Sequence, residues 1–369
     1  MMTVENPKKL GFGLMRLPKR GVSIDIKQMS QMVDLFMEAG CTYFDTAHVY
    51  LGSESATRKA LVERYPRESY TLATKLYAPS APTRKSALKQ FETSLKRTGA
   101  GYIDYYLLHS LMGNNVGKYE RMQLWDYVAD LKARGLVRHV GFSFHDGPEL
   151  LDKLLTQHPE VEFVQLQINY EDWENPSIAS RANYEVARAH DKRIVVMEPV
   201  KGGRLANPPA KVRELLRAHN PQASYASWAI RFVASLEGIL CVLSGMSNVA
   251  QMQDNLSYMR DFQPLNAEER AVLREAQQIL GASPAIPCTS CQYCTKGCPK
   301  HINIPGVFAA MNSRLLDGAL EQASAAYTEV TADGGSASDC IGCGQCERAC
   351  PQHIPIIEQL KRCADTLEG

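Results

Sequence analysis

Short apolar segments alternate with amphipathic segments along the first three quarters of the chain, with a repeat of about 30 residues. This alternation is the pattern of parallel βα units. Eight of the apolar segments predict strands, at 10–15, 42–47, 70–75, 103–109, 137–143, 163–169, 193–199 and 238–245. An open doubly wound sheet rarely runs to eight consecutive units, so the count favours a (β/α)8 barrel.

The segments between these strands carry apolar residues at helical spacing. Three stripes are formed by Met29, Met32, Val33, Phe36 and Met37, by Leu88, Phe91 and Leu95, and by Leu124, Val128 and Leu131. A further helix is predicted over 266–280. Residues 281–287 contain Gly281, Pro284 and Pro287 and predict a linker. We therefore predict two domains, a barrel over 1–281 and a small module over 282–369.

Composition and charge exclude several classes of partner. The chain has 369 residues and a formal net charge of +1 with no basic run, which argues against nucleic acid. The N-terminal residues lack the apolar core of a signal peptide. The most apolar long stretch, 228–245, is interrupted by Arg231 and Glu237 and is too broken to span a membrane. These features predict a cytoplasmic protein.

Eight of the eleven cysteines fall in two runs, at 288–299 and 340–351, and each run reads C-x2-C-x2-C-x3-C-P. This spacing is typical of proteins with two [4Fe-4S] clusters, in which the fourth cysteine of each run binds the other cluster. The spacing predicts one cluster on Cys288, Cys291, Cys294 and Cys350, and a second on Cys340, Cys343, Cys346 and Cys298. The protein is therefore expected to handle electrons.

Two other interpretations of the cysteine runs carry less weight. Structural zinc sites usually pair two short knuckles across a longer span, and a disulfide framework needs a secreted chain. The stretch resembles a bacterial-type two-cluster ferredoxin with a long insert. Apolar residues of the insert recur at helical spacing over 304–330, as in helical ferredoxin domains fused to larger oxidoreductases. Cys41, Cys241 and Cys363 are expected to be ordinary thiols, and His301 and His353 to be structural.

Chemistry in a barrel lies where the strands end at the C-terminal face, so the residues at those ends are candidates. Asp45 lies in the last residues of the second predicted strand, Tyr50 follows that strand, Lys75 ends the third and His109 ends the fourth. Tyr50 could protonate a carbonyl oxygen as hydride reaches the carbon. A phenol ordinarily titrates near pH 10, and a neighbouring ammonium favours the phenolate. Asp45 would hold Lys75 charged, and His109 would orient the carbonyl.

These residues belong to a set of motifs that runs along the barrel region. The motifs are Gly11-Phe-Gly13, Phe44-Asp-Thr-Ala-x2-Tyr50, Thr74-Lys75, Asp104-Tyr-Tyr-Leu-Leu-His109, Gly141-Phe-Ser143, Gln167-Ile-Asn-Tyr170 and Ser244-Gly245 through Asn255. Over about 8–280 the chain resembles an aldo-keto reductase, with all four members of that family's catalytic tetrad. The resemblance implies a (β/α)8 barrel that reduces aldehydes or ketones with NADPH and without a metal. The whole chain is similar to the branch with a C-terminal ferredoxin-like domain.

Barrels often bind phosphate with the loops after the seventh and eighth strands. Here those loops are Lys201-Gly-Gly-Arg204 and 244–248. Together with the resemblance, they nominate as cofactor-binding residues Gly13, Met15, Arg16, Ser143, Gln167, Met197, Gly203, Arg204, Ser244, Gly245, Met246, Ser247, Gln251 and Asn255. The chain departs from the family twice. The loop after the eighth strand carries no cation for a 2′-phosphate, and Met197 stands where the family often has an aromatic residue.

The expected activity is reduction of a small carbonyl compound with NADPH or NADH, with Tyr50 as the general acid. A nicotinamide gives up two electrons as hydride, whereas a cluster passes one electron at a time. A direct link would need a pair-splitting group such as FMN. The alternative is therefore an electron-transfer protein whose barrel holds FMN or docks a redox partner protein. In a third interpretation the clusters are purely structural.

Overall fold

The computed structural model describes residues 8–318 and 320–369. The chain divides into two compact units. The first comprises the described residues up to Asn175 together with Ala179–Val200 and Ala226–Arg270. The second comprises Pro176–Ile178, Lys201–Tyr225 and Ala271–Gly369. The segment that follows the seventh barrel strand thus groups with the cysteine-rich region, and the domain boundary at 281 stays a prediction.

Eight parallel strands close into a barrel in the first unit, which confirms the predicted fold class. The barrel strands are β1 (Leu10–Gly13), β4 (Tyr43–Asp45), β5 (Thr71–Leu76), β6 (Ile103–Leu111), β7 (Val137–Phe144), β8 (Phe163–Gln167), β9 (Arg193–Met197) and β10 (Ile239–Ser244). Each pairs with its neighbour in sequence, and β1 closes the barrel against β10. A short hairpin of β2 (Lys19–Arg20) and β3 (Ser23–Ile24) lies outside the barrel and was not predicted.

Helices alternate with the strands along the chain, as the apolar stripes predict. They are α1 (Ile26–Glu38), α2 (Ser53–Thr57), α3 (Arg84–Thr98), α4 (Val116–Arg121), α5 (Leu124–Ala133), α6 (Pro148–Gln157), α7 (Ser180–Ala189), α8 (Ala210–His219), α9 (Tyr225–Ala234), α10 (Val249–Met259) and α11 (Ala267–Gly281). Local signals set their starts. Asp25 caps α1 by accepting from the Gln28 N–H, and Thr83 and Ser86 form a capping box on α3.

The barrel has two hydrophobic layers because side chains alternate between its inside and its outside. The inner layer is filled by Tyr43, Ala73, Leu107, Phe163, Val195, Leu240, Cys241 and Leu243. The outer layer is a larger core that includes the buried residues of the predicted stripes of α1, α3 and α5. The same alternation places Asp45, Lys75 and His109 in the barrel interior, since each lies two positions beyond an inward-facing residue of the inner layer.

The cysteine-rich region is mainly helical. Its helices are α12 (Ile304–Asp317), α13 (Leu320–Thr331), α14 (Gln345–Arg348) and α15 (Ile356–Leu367). The helical insert predicted from the sequence is therefore a pair of helices that meets around Gly318, whose φ of 72° ends α12. Val307, Phe308, Leu360 and Cys363 are buried in the core of this unit. Among the described residues, no helix combines the length and apolar character needed to cross a membrane.

Candidate functional site

Three of the four candidate catalytic residues lie inside the barrel at the ends of neighbouring strands. Asp45 ends β4, Lys75 lies in β5 and His109 in β6, and all three side chains are buried. Each follows an inward-facing core residue by two positions, so the strand repeat directs it into the barrel. The Lys75 Nζ donates to Asp45 Oδ1 at 2.6 Å and to the Thr46 carbonyl oxygen at 2.7 Å.

Tyr50 reaches the same place from the loop between β4 and α2. Its N–H donates to the Ala47 carbonyl oxygen at 3.0 Å, which turns the chain back over the strand end. The Lys75 Nζ lies 5.2 Å from the centre of the Tyr50 ring. The centres of the Tyr50 and His109 rings are 5.7 Å apart in an edge-on contact. The structure thus brings together the four residues that the sequence nominated.

A third ring, Tyr77, belongs to this cluster and was missed from the sequence. Its ring centre is 5.6 Å from that of His109. A signal for it was present, because Tyr77 follows Lys75 by two positions and strand alternation directs such residues to the same side. Glu54 was also missed. It is buried, accepts from Thr74 Oγ1 at 2.8 Å and pairs with Arg97 at 3.2 Å.

Burial dominates the electrostatics of the cluster. It raises the pKa of Asp45 and lowers the pKa of Lys75, while the attraction between the two groups opposes both shifts. The contact of 2.6 Å and the Thr46 carbonyl oxygen favour the ammonium form of Lys75. Burial, the charge of Lys75 and His145 lower the pKa of His109 well below its ordinary value. His109 is therefore a neutral imidazole at physiological pH.

Several of the nominated cofactor residues meet at the ends of β1 and β10. The Ser247 Oγ donates to the Arg16 carbonyl oxygen at 2.8 Å, and the Ser247 N–H donates to Gln251 Oε1 at 2.7 Å. The Asn255 Nδ2 donates to Ser244 Oγ at 2.6 Å. Two more of the nominated cofactor-binding residues lie at these strand ends: Gly13 lies against Ser244, and Gly245 lies against Arg16. Helix α10, capped by Asn248, begins at this loop.

The remaining members of the set are less concentrated. Ser143 accepts from the Ser110 N–H at 2.7 Å, and Met197 Sδ accepts from Gln165 Nε2 at 3.4 Å. Met15 is 37% exposed. The Met246 side chain is buried in the barrel core, so any ligand contact there is made by its backbone. Gln167 is buried at the end of β8.

Gly203 and Arg204 lie in the second unit, where their loop packs on the first cysteine run. Arg204 Nη2 donates to Ser283 Oγ at 3.4 Å. Gly202 has a φ of 67°, and a Cβ there would lie 2.4 Å from the Thr289 carbonyl oxygen. Only glycine therefore fits this close approach. Thr289 directly follows Cys288, the first cysteine of the run. The loop at 201–204 therefore contacts the backbone of the first cysteine run.

The cysteines of the two runs line two separate cavities. Among the described residues, no group of three or more His, Cys, Asp or Glu side chains is placed to hold a metal ion as it stands. One cavity is lined by Cys288, Cys291, Cys294 and Cys350, and the other by Cys298, Cys340, Cys343 and Cys346. The fourth cysteine of each run therefore lies with the other run, in the grouping that the spacing predicts.

The pKa of Cys294 reflects the same grouping of four cysteines at the first cavity. Burial and the nearby Cys291, Cys288 and Cys350 raise the pKa of Cys294 to about 12. Thiols that crowd in this way cannot all ionise unless cations share their charge. Iron in a cluster provides that charge, because cluster ligands bind as thiolates. The residues lining this cavity thus fit a [4Fe-4S] group.

The two runs also share a backbone conformation. Ser290 and Gln292 have φ of 54° and 64° in the first run, and Gly342 and Gly344 have φ of 67° and 70° at the equivalent positions of the second. Left-handed residues between the cysteines turn the chain tightly, which lets three thiols reach one cavity. The first run adopts these conformations without glycine, which is unfavourable for residues that carry a Cβ.

A family model described as "Aldo/keto reductase family" matches residues 9–278. The chain belongs to the aldo/keto reductase family. The barrel with its four clustered residues is the part that the family model covers. A second model, described as "4Fe-4S dicluster domain", matches residues 287–354 of this aldo/keto reductase. That match includes all eight cysteines of the two runs.

Curated relatives of this aldo/keto reductase carry reductase names. An "Aldo-keto reductase" of Mycobacterium avium is 31% identical over 175 residues, which are 47% of this chain and 57% of the relative. The chain thus spans little more than half of that relative's length. A "9,11-endoperoxide prostaglandin H2 reductase" of Trypanosoma cruzi is 25% identical over 278 residues, which are 72% of this chain and 91% of the relative.

Solved structures confirm the fold of this aldo/keto reductase. The holo form of an aldo-keto reductase from Bacillus halodurans has a TM-score of 0.57 and 23% identity, and covers 72% of this chain and 91% of its own. An aldo-keto reductase from Klebsiella pneumoniae in complex with NADPH has a TM-score of 0.60 and 19% identity, and covers 73% and 90%. At this level of identity the likeness concerns the fold.

Proposed function

We propose that this chain reduces the carbonyl group of a small aldehyde or ketone, with a nicotinamide dinucleotide as reductant and Tyr50 as general acid. One observation carries the proposal. The buried Lys75 ammonium is anchored 2.6 Å from Asp45 and lies 5.2 Å from the centre of the Tyr50 ring. A cation in this position stabilises the phenolate that forms when Tyr50 gives up its proton.

Each residue of the cluster has a distinct role in the proposed reaction. Tyr50 donates its proton to the carbonyl oxygen and regains one from solvent after turnover. Lys75 stabilises the phenolate, and Asp45 keeps Lys75 charged and in place. His109 is neutral, so it can donate one N–H to the carbonyl oxygen without adding a charge.

The residues at the ends of β1 and β10 support a nicotinamide dinucleotide as the reductant. Helix α10 begins at the loop, and helix N-termini bind phosphate through free N–H groups and the helix dipole. The aliphatic stem of Arg16 lies against Gly245, and its guanidinium, 3.9 Å from Glu198, would supply the cation that the loop after β10 lacks. A bound nicotinamide would supply the hydride that adds to the carbonyl carbon. The NADPH held by the Klebsiella pneumoniae structure agrees with this proposal.

We also propose that the cysteine-rich region holds two [4Fe-4S] clusters, on the two groups of four cysteines that line the cavities, and that they transfer electrons. Residues of the first cavity suit this role, because its four thiols are crowded and those of Cys294 and Cys350 are buried. Electrons would pass between nicotinamide and clusters only through a group that splits a pair, such as FMN. Without one, the clusters would serve another redox partner.

The primary test is carbonyl-dependent oxidation of NADPH by cluster-replete protein under anaerobic conditions. A panel of small aldehydes and ketones is supplied, NADPH is followed at its nicotinamide absorbance, and the alcohol is quantified. The proposal predicts one alcohol per NADPH consumed with at least one probe. Carbonyl-independent oxidation, or none with NADPH or NADH, would contradict it.

A titration without carbonyl separates the roles of the clusters. NADPH, and then NADH, is added anaerobically while the visible iron–sulfur absorbance is followed. Bleaching would show that nicotinamide and clusters share electrons and would require a bound flavin, which extraction and fluorescence would detect. If only a strong chemical reductant bleaches the clusters, nicotinamide chemistry and cluster chemistry are separate.

A further inference from the structure

The loop that follows β8 carries a buried carboxylate that the proposed reaction does not use. Asp172 is fully buried, together with Asn169, and lies beside Gln167 at the end of the strand. The Asp172 Oδ2 accepts from Gln167 Nε2 at 3.1 Å and from Asn169 Nδ2 at 2.8 Å. One carboxylate oxygen thus binds two side-chain amides.

Asn169 fixes the orientation of that carboxylate. Its Oδ1 accepts from the Asp172 N–H at 2.8 Å, and its Nδ2 also donates to the Glu198 carbonyl oxygen at 3.2 Å. Both ends of the Asn169 amide are therefore engaged. Asp172 is held in place from its backbone and from its side chain at once.

The chemistry of a carboxylate determines which way the Gln167 amide faces. An ionised carboxylate only accepts hydrogen bonds, so it selects the NH2 end of each neighbouring amide. Hydrogen bonds to a charged acceptor are about twice as strong as neutral ones. With its NH2 group turned to Asp172, Gln167 directs its Oε1 acceptor the other way. An uncharged partner at position 172 would impose no such preference.

We propose that Asp172 is a positioning residue that fixes the Gln167 amide so that its Oε1 accepts from the carboxamide NH2 of the nicotinamide. This inference rests on the proposed function, with a nicotinamide dinucleotide as reductant, and on the nomination of Gln167 as a cofactor-binding residue from the sequence. Asp172 does not touch the cofactor. Its role is to make the site selective for a carboxamide that donates a hydrogen bond.

The test compares NADP⁺ with its 3-acetylpyridine analogue, in which a methyl group replaces the carboxamide NH2. Dissociation constants are measured by calorimetric titration of cluster-replete wild type and of Asp172→Asn. Wild type is expected to bind NADP⁺ about tenfold more tightly than the analogue, which corresponds to one hydrogen bond of roughly 1.4 kcal/mol. In Asp172→Asn the ratio should fall to about twofold or less.

A second variant keeps the test decisive if Asp172→Asn folds poorly. Gln167→Ala leaves Asp172 in place and should lower the preference for NADP⁺ over the analogue. In the double variant, Asp172→Asn should cause no further loss of that preference. Asp126→Asn, on the exposed face of α5, is the matched control and should keep the wild-type ratio. A purely structural role would weaken both ligands equally.

The outcomes separate the inference from the proposed function. If wild type binds both dinucleotides with equal affinity, or if Asp172→Asn keeps the full ratio, the positioning role is wrong and the nicotinamide site stands. If wild type binds neither dinucleotide, the proposed function itself fails.

Discussion

Lys75 and Asp45 form an ion pair of 2.6 Å in the barrel interior, and neither side chain is more than 4% exposed. Removing one partner of such a pair leaves an uncompensated buried charge. We expect Asp45→Asn to lower the free energy of unfolding by about 3–5 kcal/mol. The double variant Asp45→Asn with Lys75→Met should be less destabilised than the single variant. Chemical denaturation under anaerobic conditions measures both.

The exposed pair of Arg134 and Asp130 provides the matched control. Its atoms are 3.0 Å apart, but both side chains are more than half exposed. Asp130→Asn should change the free energy of unfolding by about 0.5 kcal/mol or less, since surface pairs contribute little. Equal effects at Asp45 and Asp130 would show that the Lys75–Asp45 pair is solvated.

The role of Tyr50 as general acid is tested by making the same substitution, tyrosine to phenylalanine, at two tyrosines that contact the same imidazole. Tyr50 and Tyr77 both contact His109 edge-on, with ring centres 5.7 and 5.6 Å from that of His109, and the Lys75 Nζ lies 5.2 Å from the centre of the Tyr50 ring. Tyr50→Phe should lower kcat by roughly 10²–10⁴-fold, the usual contribution of general acid catalysis, and leave dinucleotide binding unchanged. Tyr77→Phe should stay within about tenfold of wild type. Similar losses in the two variants would remove the assignment of Tyr50.

Acid sensitivity should depend on His109. Its folded-state pKa lies well below the ordinary value, whereas the unfolded residue takes up a proton near pH 6.5. Below that pH the unfolded state binds more protons, so stability falls as pH falls. Between pH 7.5 and pH 5.5, wild type should lose about 1 kcal/mol more unfolding free energy than His109→Gln. Exposed His301, changed to Asn, is the control and should behave as wild type.

Cluster ligation is tested by pairs of cysteine variants. If Cys350 belongs with Cys291, then Cys291→Ser with Cys350→Ser should lose one cluster and keep about four iron atoms. Cys343→Ser with Cys350→Ser should lose both clusters. Cys363 is buried outside both runs, and Cys363→Ser should keep the full iron content. If the Cys291/Cys350 double variant lost both clusters and the Cys343/Cys350 double variant lost one, each run would bind its own cluster and the assignment would be wrong.

The left-handed residues of the first run predict a stabilising change. Ser290 has a φ of 54°, where a residue with a Cβ is disfavoured by about 1–2 kcal/mol. Its backbone N–H, 3.5 Å from Cys288 Sγ, is unaffected by the side chain. Ser290→Gly should therefore slow anaerobic thermal loss of iron, and Gly342→Ala in the second run should accelerate it. Faster loss from Ser290→Gly would show that its side chain has a role of its own.

Much of the fold and the site could be predicted because their determinants are local. Apolar runs located all eight barrel strands to within a few residues, and strand alternation directed Asp45, Lys75 and His109 to one interior. The spacing of the cysteines predicted which four of them line each of the two cavities. Tyr77 could have been found by the same alternation, but a single aromatic residue near a strand end has many ordinary packing roles.

Features that depend on long-range contacts were not predictable. The approach of Gly202 to Thr289 joins two segments far apart in sequence, so the loop after β9 could not be assigned to the second unit beforehand. The buried Asp172 gave no signal either, because an acidic residue after a strand usually faces water. The hairpin of β2 and β3 has two residues per strand, too few for a periodic pattern.

Isotope transfer tests the central claim most directly. NADPH with deuterium at C4 of the nicotinamide is supplied anaerobically with the carbonyl probe that supports its oxidation, and the alcohol is examined by mass spectrometry. We predict that one of the two C4-deuterated isomers delivers its deuterium to the former carbonyl carbon, while the new hydroxyl proton comes from solvent. A new carbon-bound hydrogen that comes from solvent with both isomers would contradict the account, because the electrons would have reached the carbonyl through the clusters or a flavin.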